Sequence, residues 1–369
     1  MKILFSAVPA FGHVLPLLPL AKAARDAGHD VALMTHPSMA SAAPSMPLLP
    51  AGLDIAANLG EVNRRTGGDP LTDMAAFAVE FFVENPINSS AGEALAHARD
   101  FRPDLVVAEM SDYLGQFVAA ALDVPWAAHG ATLPLIEPLA VQFGQRALVK
   151  FGEHGLVPSA PFAYVDPWPD SLLRFTDHYP APRMPIRPEP HAGEGPSWTR
   201  PAFREREDRP TVLLSLGTVV EDPQVLTRTV VAASELDVNL LLAPHTAKDL
   251  DMDQVDRRRV QLAGFVPMRD LLQATDLVVS AAGAGTVLAA LSAGLPMVLL
   301  PLGLDKPVNA ERAASVGAAE VVADPAEIGG AIQKVLEDDA YRTAAQTMAK
   351  EISAMPSPRQ VLETLTATV

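Results

Sequence analysis

The sequence predicts an α/β protein with two parallel-sheet domains that follow one another along the chain. The chain has 369 residues, which is longer than a domain with a single hydrophobic core usually is. Apolar strand runs without alternation, each followed by a helical segment, are typical of parallel sheets covered on both faces. The pattern restarts after residues 156–210, which hold 12 of the 34 prolines. This stretch is expected to be irregular, to lack a central strand and to lead into an interdomain linker.

The first half follows the order strand, turn, helix, strand. Strands are expected at residues 3–8, 31–35, 104–109 and 124–128. Gly28 ends the first helix, because glycine suits the left-handed position after a helix. The stretch from about 70 to 99 is helical in character and is interrupted at Pro86, which cannot continue a regular helix.

The second half repeats this alternation, and the tail from about 340 to 365 is predicted to form two helices broken at Pro356 and Pro358. Its strands are expected at 211–216, 239–243, 260–265, 277–281, 297–301 and 319–322. The predicted domains are 1–205, 206–345 and a helical tail, 346–369, that packs back on the first. Ligands of such sheets bind at the carboxyl ends of the strands, so a cleft between the two domains is the expected site.

Composition excludes several classes of function. The net charge is −16, and the one basic run, 257–259, lies beside aspartates, which indicates a solvated face and not a nucleic-acid surface. The chain has no cysteine, which excludes disulfides, thiolate catalysis and cysteine-bound metals. Gly12, His13 and two prolines interrupt the apolar N-terminus, so a strand–turn–helix explains it better than a secretion signal. We expect a cytoplasmic protein without stable membrane insertion.

Small residues follow the strand expected at 277–281 and precede a helix. Such residues let the backbone approach an anion, and the amide groups at a helix start favour a phosphate there. The pattern matches neither the dinucleotide-binding nor the P-loop motif, and no lysine follows the glycines. A tight turn chosen for packing is the structural alternative. The residues of this turn are Ala282, Gly283, Ala284, Gly285 and Thr286.

Longer stretches around this turn carry a family resemblance. The segments GFVPMRDLL, AAGAGT and SAGLPMVLLPLGLDKPVNAERAASVGA, together with the N-terminal FSAVPAFGHVLPLLPLAKAARDAGHDV, closely resemble family 1 glycosyltransferases. The likeness is greatest to bacterial enzymes that glycosylate antibiotics and other natural products. It runs in patches from residue 1 to about 322 and is weakest at 40–100 and 135–208. It implies the GT-B fold, in which two Rossmann-like domains face each other across a cleft.

The resemblance implies donor-binding roles in the second half. Asp305 matches a carboxylate that accepts hydrogen bonds from sugar hydroxyls, although it could instead cap the helix that follows. The family's histidine donor to the phosphate is replaced by Ala281. Lys306 replaces the usual glutamine and either supplies the missing donor or forms a surface pair. The base-binding positions are Phe265 and Val266, the diphosphate loop is 282–286, and a second loop contains Ser215, Gly217 and Thr218. Phe265 also fits a core position.

His13 is the candidate general base. It follows Gly12 and opens a helix, and a helix N-terminus disfavours imidazolium, which keeps the ring able to accept a proton. It also aligns with the family's general base, whose orienting acid matches Glu109 here, where aspartate is more usual. Asp112 is the alternative partner. His129 ends the next strand and either borders the acceptor or packs in the core.

Aromatic residues are available to form the wall of an acceptor pocket: Phe77, Phe81, Phe82 and Phe143. Their spacing also fits an ordinary buried helix face.

The implied reaction is inverting transfer of a sugar from a nucleoside diphosphate to a hydroxyl of a small, apolar natural product. We favour a deoxysugar carried by dTDP, with UDP as the second choice. No Asp-x-Asp cluster is placed to bind a metal, so neither a metal nor a cofactor is expected beyond the nucleotide-sugar co-substrate. The alternatives are an epimerase or hydrolase of the same fold and a silent nucleotide-binding partner protein. The oligomeric state stays open, with a homodimer among the options.

Overall fold

The computed structural model describes residues 1–67, 73–193, 198–217, 223–243, 255–263 and 266–369. The chain divides into two compact units. The first comprises 1–167, 174–186 and 356–369, and the second comprises 168–173 and 187–355. Residues 168–173 and 187–205, assigned to the first domain by the sequence-based boundaries, therefore belong to the second unit, as do residues 346–355, which were assigned to the tail.

The described strands of the first unit form one parallel sheet in the order β3-β2-β1-β4-β5-β6-β7. Its strands are β1 (Lys2–Ser6), β2 (Asp30–Thr35), β3 (Leu48–Pro50), β4 (Leu105–Glu109), β5 (Trp126–His129), β6 (Tyr164–Asp166) and β7 (Arg183–Pro185). Its helices are Phe11–Val14, Leu18–Asp26, Ile55–Thr66, Met74–Val79, Asn85–Phe101, Tyr113–Leu122, Glu137–Gly152 and Pro358–Thr368.

Apolar side chains cover both faces of this sheet. In β1, Ile3 and Phe5 pack in one buried cluster and Leu4 packs in another on the opposite side. Successive strand residues point to opposite faces, so the unbroken apolar run is explained by burial on both sides. The C-terminal helix Pro358–Thr368 adds Val361 and Leu365 to the first of these clusters.

The expectation that the proline-rich stretch lacks a central strand was wrong. β6 lies inside the sheet, hydrogen-bonded between β5 and β7. It is only three residues long, and the prolines nearest to it, Pro161 and Pro167, lie outside its bounds. A strand this short needs few amide donors, so flanking prolines do not interrupt its ladder.

The described strands of the second unit form a parallel sheet in the order β10-β9-β8-β11-β12-β13. Its strands are β8 (Thr211–Ser215), β9 (Asn239–Leu242), β10 (Val260–Leu262), β11 (Leu277–Ser280), β12 (Met297–Leu299) and β13 (Ala319–Val321). Its helices are Pro223–Ser234, Met268–Gln273, Ala284–Ser292, Lys306–Ser315, Ile328–Glu337 and Asp339–Ala354.

The strand order reverses direction at one point in each sheet. In the first unit the reversal lies between β1 and β4, and in the second between β8 and β11. Loops at the carboxyl ends of such neighbouring strands diverge and leave a crevice that ligands use. Within the described residues, no helix has the length and apolar character needed to cross a bilayer.

Candidate functional site

His13 and Glu109 meet at the reversal point of the first sheet. His13 lies in the helical turn Phe11–Val14 after β1, and Glu109 is the last residue of β4. His13 Nδ1 is 2.9 Å from Glu109 Oε2, with the imidazole 26% exposed and the carboxylate fully buried. The two atoms are close, but their alignment falls short of a regular hydrogen bond within the described part of the chain. Contacts of this kind often tighten only when substrate is bound.

Glu109 is fixed on its other side by the backbone. Its Oε1 accepts a hydrogen bond of 3.0 Å from the amide of Ser111. With Oε1 held there and Oε2 at His13, the carboxylate favours the tautomer in which Nδ1 carries the proton and Nε2 carries the lone pair.

Asp112, the alternative partner of His13, is occupied elsewhere. It caps the helix Tyr113–Leu122 by accepting from the amides of Leu114 (3.2 Å) and Gly115 (3.3 Å). It also accepts a hydrogen bond from the Ser6 hydroxyl. Burial raises the pKa of Asp112 to about 7; the Ser6 bond opposes this rise and the Glu109 charge adds to it. The described contacts thus place the carboxylate of Glu109 next to His13, whereas the carboxylate of Asp112 bonds to Ser6 and to the start of the helix Tyr113–Leu122.

His129 ends β5 directly beside Glu109, with which it pairs in the sheet register. It is buried, and its Nδ1 lies 2.9 Å from the carbonyl of Gly130. Burial lowers the pKa of His129 to about 4, so the ring is neutral at physiological pH. Its Nε2 has no hydrogen-bond partner among the described protein atoms. A role at the acceptor stays a prediction.

The aromatic residues divide into core and site positions. Phe143 is buried with Phe117 and Phe151, and Phe81 is buried beside Val8. Phe77 stacks on Phe81 at a ring distance of 6.2 Å. Phe82 is only partly buried, and its ring lies 5.8 Å from that of His13. Of the four phenylalanines, Phe82 is therefore the one for which the structure shows a ring contact with the candidate base.

A small cavity of about 30 Å³ lies next to these groups, at the carboxyl ends of β1 and β2. Ser6, Thr35, Asp112, Phe81 and Phe82 are among its lining residues. The Thr35 hydroxyl is buried and lacks a hydrogen-bond partner among the described protein atoms. The cavity has room for a water molecule or a single polar group of a ligand.

The small-residue turn of the second unit lies at the reversal point of its sheet. β11 ends at Ser280, whose hydroxyl accepts a hydrogen bond of 3.1 Å from the amide of Ala282. Ala282 adopts a left-handed backbone conformation with φ of 67°. Gly283 then caps the helix Ala284–Ser292. The first amides of an α-helix lack partners within the helix, so this turn has donors that can bind an anion.

Gly283 and Gly285 leave open space at this helix start. Neither has a positive φ, and an added Cβ would meet no atom within 4 Å at either position. Gly285 lies in the first turn of the helix, where glycine is less stable than alanine, so the described packing gives no reason for a glycine there. A ligand that approaches the backbone closely would supply such a reason.

Asn309 connects the 282–286 turn to Asp305, which precedes the helix Lys306–Ser315. Asn309 Nδ2 donates to the carbonyl of Ala282 (3.1 Å) and to Asp305 Oδ2 (2.8 Å). Asp305 occupies the N-cap position of the helix Lys306–Ser315, but its side chain makes no capping bond to that helix. Asn309 was missed as a site residue; its position four residues after Asp305 on a helix was the available signal.

The structure also gives the surroundings of most of the other residues predicted to bind the donor. Lys306 Nζ donates to the carbonyl of Leu302 at 2.9 Å, and its role at the donor phosphate stays a prediction. Ala281 is buried. Ser215 ends β8 in register with Ser280, and Gly217 follows with φ of 88°. Val266 is partly buried. Thr218 and Phe265 lie outside the described residues.

Thr286, the last residue of the predicted loop, lies in the first turn of the helix, and its amide donates to the carbonyl of Gly283 at 3.0 Å. In the described part of the chain, no group of three or more His, Asp or Glu side chains is arranged to hold a metal ion.

Comparison with known proteins bears on the whole chain. Residues 227–368 match the family model described as erythromycin biosynthesis protein CIII-like, C-terminal domain. The L-demethylnoviosyl transferase of Streptomyces niveus is 29% identical over all of this chain and 98% of its own length. The 3-alpha-mycarosylerythronolide B desosaminyl transferase of Saccharopolyspora erythraea is 25% identical, covering 98% of this chain and 97% of its own.

The solved structure of spinosyn rhamnosyltransferase SpnG superposes with a TM-score of 0.83 at 25% identity, covering 99% of this chain and 100% of that one. The chain has the GT-B fold of these glycosyltransferases. The predicted fold and the resemblance to natural-product glycosyltransferases are both confirmed. SpnG itself has been solved with thymidine diphosphate and with spinosyn aglycone. The chain thus shares its architecture with an enzyme that has been solved with a nucleotide and with an aglycone.

Proposed function

We propose that this glycosyltransferase moves a sugar, with inversion, from a dTDP-activated donor to a hydroxyl of a small, largely apolar natural product. The observation that carries the proposal is the His13–Glu109 pair at the reversal point of the first sheet. An imidazole oriented by a buried carboxylate is suited to remove a proton from a hydroxyl. The proposed donor is a deoxysugar nucleotide, with UDP as the second choice of carrier, and the proposed location is the cytoplasm.

The proposed chemistry is a single displacement. The acceptor hydroxyl gives its proton to His13 Nε2 while its oxygen forms a bond to the anomeric carbon. The bond from that carbon to the diphosphate oxygen breaks, and the diphosphate leaves with the electron pair. Attack from the face opposite the leaving group inverts the anomeric configuration. Glu109 would orient the ring and stabilise the imidazolium that forms.

The leaving diphosphate would be bound at the start of the helix Ala284–Ser292 by the amides of Gly283, Ala284 and Gly285, since the amide of Thr286 already donates to Gly283. Backbone amides and the positive end of a helix stabilise negative charge as it develops. The two open glycines leave room for phosphate oxygens to approach these amides. Asp305, held by Asn309, would accept hydrogen bonds from sugar hydroxyls.

A turnover assay tests the proposal. The protein is incubated with dTDP- and UDP-sugars and a mixed panel of small hydroxyl acceptors, and products are followed by mass spectrometry. We expect a glycosylated acceptor, free nucleoside diphosphate and an inverted anomeric centre by NMR. Sugar interconversion without an acceptor would identify an epimerase instead. Tight nucleotide binding without turnover would identify a silent partner protein.

A further inference from the structure

The segment that carries Phe82 is a π-helical turn, Glu80–Glu84, inserted between the helices Met74–Val79 and Asn85–Phe101. Its local cause is Pro86, which has no amide hydrogen and whose ring would clash with the carbonyl four residues earlier, that of Phe82. The amide of Asn85 bonds instead to the carbonyl of Glu80, five residues back. π-Turns of this kind occur frequently at functional sites.

The carboxylates at the two ends of the turn bind the same two arginines. Glu84 accepts from Arg65 (2.9 Å) and Arg146 (2.8 Å). Glu80 lies 3.4 Å from each of these guanidinium groups. Arg65 comes from the helix Ile55–Thr66 and Arg146 from Glu137–Gly152, so both ends of the turn are tied to two other helices. We call these four residues the clamp.

Glu84 is the centre of the clamp. It also accepts from Asn88 at 3.0 Å and lies 3.5 Å from the buried ammonium of Lys150. Burial alone would raise the pKa of Glu84, but the bonds from Arg146 and Asn88, with Lys150 and Arg65, lower it to about 2. The carboxylate is therefore ionised throughout the physiological range, and its removal would leave Arg65 and Arg146 with the more distant Glu80 as their remaining partner in the clamp.

A second set of bonds satisfies the backbone of the turn. Asn58 Nδ2 donates to the carbonyl of Phe81 at 3.0 Å, and Asn85 Nδ2 donates to Asn58 Oδ1 at 2.7 Å. Both asparagines are buried. These bonds fix the backbone of the turn. Phe81 packs in the buried cluster that contains Val8, and the ring of Phe82 contacts the rings of Phe81, Phe143 and His13.

The ring of Phe82 lies 5.8 Å from His13 and 6.0 Å from Phe143. We propose that Phe82 is a specificity-determining acceptor contact and that Glu84, through the π-turn, is the positioning residue that holds it beside His13. The acceptor class that fits is a molecule with a flat apolar ring next to its reactive hydroxyl, because the edge or face of Phe82 packs best on such a ring. This inference rests on the proposed role of His13 as general base.

The first test needs no substrate. Histidine is isotope-labelled, and the His13 imidazole resonances are assigned by their loss in His13→Gln. The Phe82→Leu variant removes the ring current and sets the reference shift. We expect Glu84→Gln and Pro86→Ala each to shift the His13 resonances in the same direction as Phe82→Leu does. In the Phe82→Leu background, Glu84→Gln should cause no further shift.

The second test measures binding. With 4-methylumbelliferone as a flat aromatic probe, Phe82→Leu and Glu84→Gln should each weaken binding about threefold to tenfold, again without additivity. Calorimetry with thymidine diphosphate should give unchanged affinity in both. Glu320→Gln, which breaks the 2.8 Å Lys334 ion pair in the second unit, is the matched control and should alter neither probe binding nor the His13 resonances.

A lower melting temperature in Glu84→Gln, with unmoved His13 resonances and unchanged probe binding, would show that the clamp is only structural and would overturn the proposal. If Glu84→Gln does not fold, Pro86→Ala decides the question by the same two measurements. Absence of sugar transfer by the wild-type protein would instead count against the proposed function, because the resonance shifts do not depend on turnover.

Discussion

The two candidate sites occupy the same place in two similar sheets but are built from different parts of the chain. At the reversal point of the first sheet, the groups that meet are the side chains of His13 and Glu109. At the reversal point of the second, the potential ligands are backbone amides at the start of the helix Ala284–Ser292. One site depends on the identity of single side chains, whereas the other depends on the absence of side chains.

This difference follows from the chemistry proposed for each site. Proton transfer needs a titratable group with a defined tautomer, and only a side chain provides one. Stabilising a diphosphate needs several donors that converge on one anion, which a helix start already has. The replacement of the family's histidine by Ala281 is compatible with this view, because it leaves the amides of the turn in place.

The largest effect is expected at the side-chain site. His13→Ala should lower kcat by about 10²–10⁴-fold, because a positioned base contributes roughly that factor. Affinity for thymidine diphosphate, measured by calorimetry, should stay nearly unchanged because the proposed donor ligands lie in the second unit. The pH–rate profile should lose its acidic limb.

Glu109→Ala should cause a smaller loss than His13→Ala, since its proposed role is to orient the ring. The double variant should be little worse than His13→Ala alone, because residues that act as a unit are not additive. Near-full turnover by a folded His13→Ala variant would place the base elsewhere, with Asp112 and His129 as the next candidates.

The backbone site should respond to added side chains. At Gly285 an added Cβ meets no atom of the described fold, and alanine favours the helix. Gly285→Ala should therefore keep or raise the melting temperature while it weakens donor binding, by roughly 5- to 150-fold if overpacking costs about 1–3 kcal/mol. Gly285→Asp should abolish donor binding through charge repulsion as well.

Gly330→Ala is the matched control for this prediction. Gly330 also lies in a helix of the second unit, Ile328–Glu337, with open space around its Cα. Its replacement should raise stability without any change in donor affinity. Unchanged nucleotide affinity in both Gly285 variants would remove the diphosphate from this helix start.

Much of this architecture could be predicted because it depends on local patterns. Strands buried on both faces, such as β1, are continuous apolar runs, and Gly28 adopts the left-handed conformation expected after a helix (φ of 85°). β6 was missed because its three residues, Tyr164–Asp166, carry no such run and depend on pairing with β5 and β7. Short strands are determined by their neighbours more than by their own sequence.

The positions of the candidate site residues, as distinct from their roles, could be predicted from the sequence to a similar extent. His13 and the 282–286 turn follow strands and Glu109 ends one, so the strand ends alone bring them to the sheet edges. The clamp was missed because Arg65 and Arg146 are far from Glu84 along the chain and meet it only through helix packing. Pro86 signalled a break in the helix, but the π-turn also requires the partners that satisfy it.

The smallest effect on turnover is expected at Asp112, which lies behind the side-chain site and acts on stability. Its pKa is about 7 in the folded protein, against an ordinary value of 3.8, because burial disfavours the carboxylate. Between these two values the folded state holds a proton that the unfolded state has lost, so the free energy of unfolding should fall as the pH rises from about 4 to about 7.

Asp112→Asn keeps a neutral capping side chain and should remove this dependence, with stability similar to wild type near pH 4 and higher than wild type at pH 8. Its kcat should change little, because the carboxylate in contact with His13 is that of Glu109. Urea titrations of both proteins at several pH values measure the difference, and parallel pH profiles would show that Asp112 is ionised in the folded protein.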